Sequence, residues 1–109
     1  MASLTDLTGE NAAEFIRRRR WQVLVHSCIY YCFNENIISD HQWAQWAQEL
    51  TAAQEQFPEI AAKEVWAPGF QNFDPSTGFN LPIKDPGVVG RARYLLRLRD
   101  KRRANDAHD

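Results

Sequence analysis

The sequence predicts an all-α, or nearly all-α, single domain. Three observations point there: apolar residues recur at spacings of three and four along residues 9–33 and again along 43–57, helix-start signatures precede two of the segments, and the chain carries enough apolar area for one core. Of 109 residues, 44% are hydrophobic and thirteen are Phe, Trp or Tyr. A chain of this length buries roughly two-thirds of its unfolded surface without staples. The domain is expected over residues 9–100, between a flexible N-terminus at 1–8 and a charged tail at 101–109 that has nothing to bury.

The first helix is expected over residues 9–33, where Phe15, Ile16, Val23, Leu24, Ser27, Cys28 and Tyr31 keep the helical spacing and no proline intervenes. Thr8 is its N-cap, with Glu10 near the positive end. From Trp21 to Phe33 it is apolar nearly all round, as a central helix is. Cys28 and Cys32, four apart on that stretch, read as buried, inert thiols. Asn34-Glu35-Asn36 breaks the pattern.

Ser39-Asp40-His41-Gln42 fits a capping box and opens the second helix, whose face is Trp43, Trp46, Ala47, Leu50 and Ala53, continued by Phe57. A short loop between the two helices predicts an antiparallel hairpin with the tryptophans on the first helix. Pro58 suits the first turn of a short third helix, reaching about Trp66. Residues 67–86 then change character, with Pro68-Gly69 and the turn sequence Asp74-Pro75-Ser76-Thr77-Gly78. Phe70, Phe73, Phe79 and Leu81 are too apolar for a free linker, so an ordered loop against the helices is expected. Asp85 and Pro86 start a last helix with Val88, Val89, Ala92, Leu95 and Leu96 as its stripe.

Charge is unevenly spread although the net value is −1. Arg17 to Arg20 form one basic run, and Arg91, Arg93, Arg97, Arg99, Lys101, Arg102 and Arg103 form another. Between residues 21 and 90 only Lys63 and Lys84 oppose eight acids. The polyanion contacts, if nucleic acid is the partner, are Arg17, Arg18, Arg20, Arg93, Arg97 and Arg99. No zinc-finger spacing or aromatic single-strand platform accompanies them. No segment reaches the length of a membrane span and the start lacks the order of a signal peptide, so a cytoplasmic location without membrane contact is expected. No metal-ligand spacing is present. His26 and His41 lack a nucleophile at recognisable spacing and read as core or surface histidines.

Tyr30-Tyr31, Ile38-Ser39-Asp40, Trp43, Glu49-Leu50 and Phe57-Pro58-Glu59-Ile60 together resemble the N-terminal helical subdomain of bacterial NAD-dependent DNA ligases, over thirty to forty residues. Small stand-alone proteins with this hairpin, often phage-encoded, are similar. The resemblance implies a site for the nicotinamide mononucleotide half of NAD, with Tyr30 as stacking aromatic and Asp40 as ribose or amide acceptor. Tyr31 stands where many ligases have histidine, and Trp43 where they have tyrosine. Ala44 occupies the place of a second carboxylate. Loss of a buried contact worth ~1–3 kcal/mol lowers the expected affinity by an order of magnitude or more. Without the family's Lys-x-Asp-Gly nucleophile motif, for which Lys84-Asp85-Pro86-Gly87 is no substitute, catalysis is not expected.

No cofactor is required by the sequence, nicotinamide mononucleotide or NAD being the small-molecule candidates. The leading expectation is an accessory protein whose hairpin binds a protein partner, such as a bacterial host factor. A nucleotide-binding domain and an arginine-dependent nucleic-acid binder are the alternatives. For Tyr30, Tyr31, Trp43 and Trp46, core packing between helices competes with ligand contact.

Overall fold

A computed structural model describes residues 7–107. Residues 1–6 of the expected flexible N-terminus and 108–109 of the expected tail lie outside the described residues. Among those described, four α-helices and one 3-10 turn occur and no strand: α1 Gly9–Phe33, α2 Asp40–Gln56, α3 Pro58–Lys63, the 3-10 turn Ala67–Phe70, and α4 Pro86–Ala107. The fold is all-α, as predicted.

Local chemistry sets the helix ends. Thr8 N–H donates to Asn11 Oδ1 at 2.8 Å, and Leu7 just before it is buried. Asn34 closes α1 in the left-handed region, φ 53, and the Glu35 N–H turns back to the Ile29 carbonyl at 3.1 Å. Ser39 Oγ accepts from the Gln42 N–H at 3.0 Å, the forward half of a capping box. Asp85 Oδ1 accepts from the Gly87 N–H at 2.9 Å and Pro86 occupies the first turn of α4.

α1 is the central element, packed by α2 along one side and α4 along another. Trp43 meets Ser27, Trp46 meets His26 and Glu49 meets Arg19, so sequence numbers rise on one helix as they fall on the other. That is the antiparallel hairpin. Leu50 is fully buried, and Trp43 and Trp46 are partly buried against the core. α4 runs in the same sense as α1: Arg91 lies over the Trp21 ring at 3.7 Å and Arg99 pairs with Glu35 at 3.1 Å.

Four expectations need correction. Cys28 is buried, but Cys32 is exposed; α1 carries it past the edge of the core, where its Sγ meets the Ile83 carbonyl at 3.8 Å and the Cys28 thiol. Phe70 and Leu81 pack inward while Phe79 is 64% exposed, because its ring lies edge-on to Tyr31 at 5.4 Å on the surface. The segment from Lys101 continues α4 as helix to Ala107; its residues are mostly good helix formers and nothing in it breaks the backbone pattern. Arg20 is the fourth, and its place belongs with the basic residues below.

Candidate functional site

A cleft of about 440 Å3 opens where the C-terminal half of α1, the α1–α2 loop and the start of α2 face the turn at residues 75–78. Tyr30, Tyr31, Asp40 and Trp43 all line it. Helical spacing accounts for part of this grouping: Tyr30 and Tyr31 occupy the last turns of α1, while Asp40 and Trp43 are three apart at the start of α2. The hairpin then brings the two ends together.

Trp43 is fixed from below. Its Nε1–H donates to Ser27 Oγ at 3.1 Å, and Ser27 is buried. Gly78 closes the same wall: a Cβ there would sit 2.1 Å from Ser27 Oγ and 3.2 Å from Trp43 Cζ2, so only glycine allows the loop to dock so closely. Tyr30 and Tyr31 stand nearly perpendicular, with centroids 4.8 Å apart at 79°. The Tyr31 hydroxyl lies 3.3 Å from Thr77 Oγ1, tying α1 to the turn. Within that turn Asp74 Oδ1 accepts from both the backbone and the hydroxyl of Ser76, which holds its carboxyl below the usual range.

Asp40 is exposed, and its carboxylate makes no hydrogen bond or ion pair with any described residue. Ala44 lines the cleft beside it. His26 is the one histidine on the wall among the described residues, its ring 5.5 Å from Trp46. Its Nδ1 is buried without a hydrogen-bond partner among the described residues, and desolvation pushes its pKa below the ordinary 6.5. No Lys or Arg lines the cleft. Sequence reasoning missed Ser27, His26, Ile37 and the whole 75–78 wall. The Asp-Pro-Ser-Thr-Gly turn signalled an ordered loop, but nothing local says where a loop docks.

The basic residues do not gather. Arg17 and Arg18 are exposed, and Arg18 pairs with Glu14 at 2.8 Å. Arg20 is only 2% exposed and cannot be a polyanion contact. Its guanidinium donates to Gln54 Oε1 at 2.9 Å and to the carbonyls of Ala61, Glu64 and Val65 at 2.9, 3.1 and 2.9 Å. Burial lowers its pKa, and nearby Glu64 partly offsets that. Arg19 is also buried, paired with Glu49 at 3.2 Å. Arg93 and Arg97 are exposed; the side chain of Arg99 is 15% exposed and held by Glu35 and Asp100.

Because α4 runs with α1, Arg99 lies at the C-terminal end of α1 and Arg17 and Arg18 near the other, roughly 24 Å away at 1.5 Å per residue. A second groove, about 680 Å3 between α2, α3 and residues 67–73, has Arg20 in its wall with its nitrogens already engaged in structural bonds. No protein-family model, curated protein or solved structure matches the chain. Among the described residues no helix is long and apolar enough to cross a membrane, and no cluster of metal-ligating side chains occurs.

Proposed function

We propose that the chain is a non-catalytic binding protein that recognises another protein through the cleft of its α1–α2 hairpin. The observation that carries this reading is the mouth of the cleft. Tyr30, Tyr31, Ile37 and Phe79 remain 53, 40, 36 and 64% exposed around it. Scattered exposed apolar residues are ordinary, but several aromatic groups around one concavity resemble the anchors of an interface. A phage-encoded chain acting on a bacterial host factor in the cytoplasm fits this reading.

The second reading is a site for nicotinamide mononucleotide or NAD. One observation favours it: Tyr30, Tyr31, Asp40 and Trp43 share a single cleft, as the ligase resemblance implies. Two weigh against it. The wall offers no Lys or Arg for a phosphate, and the α2 N-terminus, its anion-favouring feature, already carries the Asp40 charge.

A photo-crosslinking amino acid placed at position 79, and separately at exposed Glu55 on the second groove, tests the proposal. In bacterial lysate, position 79 is expected to capture a discrete protein that position 55 does not. Identical capture at both positions, or sub-micromolar binding of nicotinamide mononucleotide by titration calorimetry, overturns it.

A further inference from the structure

Resting on the protein-partner reading, we infer that the cleft is an aromatic cage for a planar cation, and that an arginine side chain of the partner occupies it. Tyr30 and Tyr31 form a corner, 4.8 Å between centroids at 79°, and Trp43 adds a third ring to the wall. Aromatic faces carry the negative part of the ring quadrupole, so a cation set among them is attracted. The Tyr31 ring is held in place by Thr77 on one side and Phe79 on the other. Such a wall is preorganised.

Charge points the same way. Asp40 stands on the wall with a carboxylate that has no partner among the described residues, while no Lys or Arg of the described residues shares the cleft with it. His26, the one basic side chain there among the described residues, is desolvated, which disfavours its charged form. The surrounding segment, residues 21–90, has two basic residues against eight acidic ones. An anion entering this cleft meets repulsion; a cation meets a free partner.

Guanidinium suits the site better than ammonium. It is flat, weakly hydrated, stacks on aromatic rings and offers several donors at once, whereas a lysine ammonium is compact and holds its water. Asp40, the Ser76 hydroxyl and the Asn36 amide supply acceptors around the wall. The exposed Phe79 ring lies outside the cleft lining but packs on Tyr31, which lines it, so the chain that carries the arginine can cover it.

The test is an NMR titration of the whole protein with N-acetyl-arginine N-methylamide and with its citrulline analogue, equal in shape but uncharged. The arginine compound should shift the Trp43 indole and the amides of Tyr31 and Thr77, with the citrulline compound about tenfold weaker. Asp40→Asn should weaken arginine binding severalfold yet leave it above the citrulline level, because the ring faces still attract the cation, and Tyr30→Leu, at an exposed position, should weaken both compounds without unfolding the protein. Equal binding of the two compounds, indifference to Asp40→Asn, or tighter binding of nicotinamide mononucleotide at the same resonances overturns the inference. If the arginine compound fails while position 79 still crosslinks a specific protein, the cage is rejected and the partner reading stands. If it binds as expected while crosslinking finds no partner, the partner reading alone falls, and with it the assignment of the cation to a protein.

Discussion

Arg20 bridges four acceptors: one glutamine on α2 and three carbonyls at and beyond the end of α3. Ala61 lies in the last turn of α3, and the Glu64 carbonyl just beyond it also accepts from the Ala67 N–H at 3.2 Å, so the guanidinium completes a helix end from outside. Arg20→Ala should therefore lower stability by about 2–4 kcal/mol in urea unfolding, since buried acceptors are left bare; a loss under about 1 kcal/mol would contradict the bonding described. Helical spacing shows that Arg17 to Arg20 fan around α1, but which of them face inward is decided by contacts 30 to 45 residues away. That is why a run of four arginines reads as surface. His26 carries a pH signature of the opposite origin. Its folded pKa lies below its ordinary 6.5 because burial opposes charge, so the unfolded chain binds the proton more readily. The stability that neutral His26 permits is complete above 6.5 and declines as pH falls from 6.5 to the folded pKa. His26→Phe should flatten that part of a stability-versus-pH curve; an unchanged slope would place the acid sensitivity elsewhere.

Elements with a local signature were legible, and those positioned by distant packing were not. Ser39 and Asp85 are examples of the first kind: each is a cap residue whose acceptor serves N–H groups two or three positions ahead. Ser39→Ala and Asp85→Ala should each cost about 1 kcal/mol in unfolding free energy. A negligible loss for Ser39→Ala would mean that the turn, not the cap, fixes the start of α2. The 75–78 turn is of the second kind. Its internal bonds follow from Asp74 and Ser76, yet its role as a cleft wall depends on contact with Ser27 and Trp43, elements 35 to 51 residues earlier. Gly78→Ala forces that contact apart and should destabilise by about 1–3 kcal/mol, as overpacking does. Removing the Ser27 hydroxyl in the double variant should recover part of the loss, because the closest approach is to Ser27 Oγ. Strict additivity in that cycle would show that the loop had moved off the hairpin altogether.

Across the whole molecule, the parallel course of α1 and α4 keeps the two basic segments apart. Had α4 run the other way, the arginines would have met at one end. As built, α4 alone exposes six cations, Arg91, Arg93, Arg97, Lys101, Arg102 and Arg103, and duplex DNA binding through it should follow salt with a log–log slope no steeper than about −5.4. A slope near about −7, reduced in an Arg93, Arg97 and Arg99 triple alanine variant, would require both segments on one polyanion and would reverse the ranking of partners. The sequence shows the charge segregation but not the direction in which α4 crosses α1, since a long loop permits either. That loop has a further effect on time rather than on energy alone. One wall of the cleft is irregular chain, with the Thr77 N–H held by the Asp74 carbonyl at 3.3 Å and the Phe79 N–H by Thr77 Oγ1 at 3.2 Å, whereas the opposite wall is helix. An occupant that binds only the docked loop slows hydrogen exchange at these two amides by a factor of one plus its concentration over Kd, about a hundredfold at a hundredfold excess. Amides in the α1–α2 loop, which lack that tether, should respond less, so the exchange rate at Thr77 and Phe79 reports occupancy even for an occupant too weakly held to be isolated.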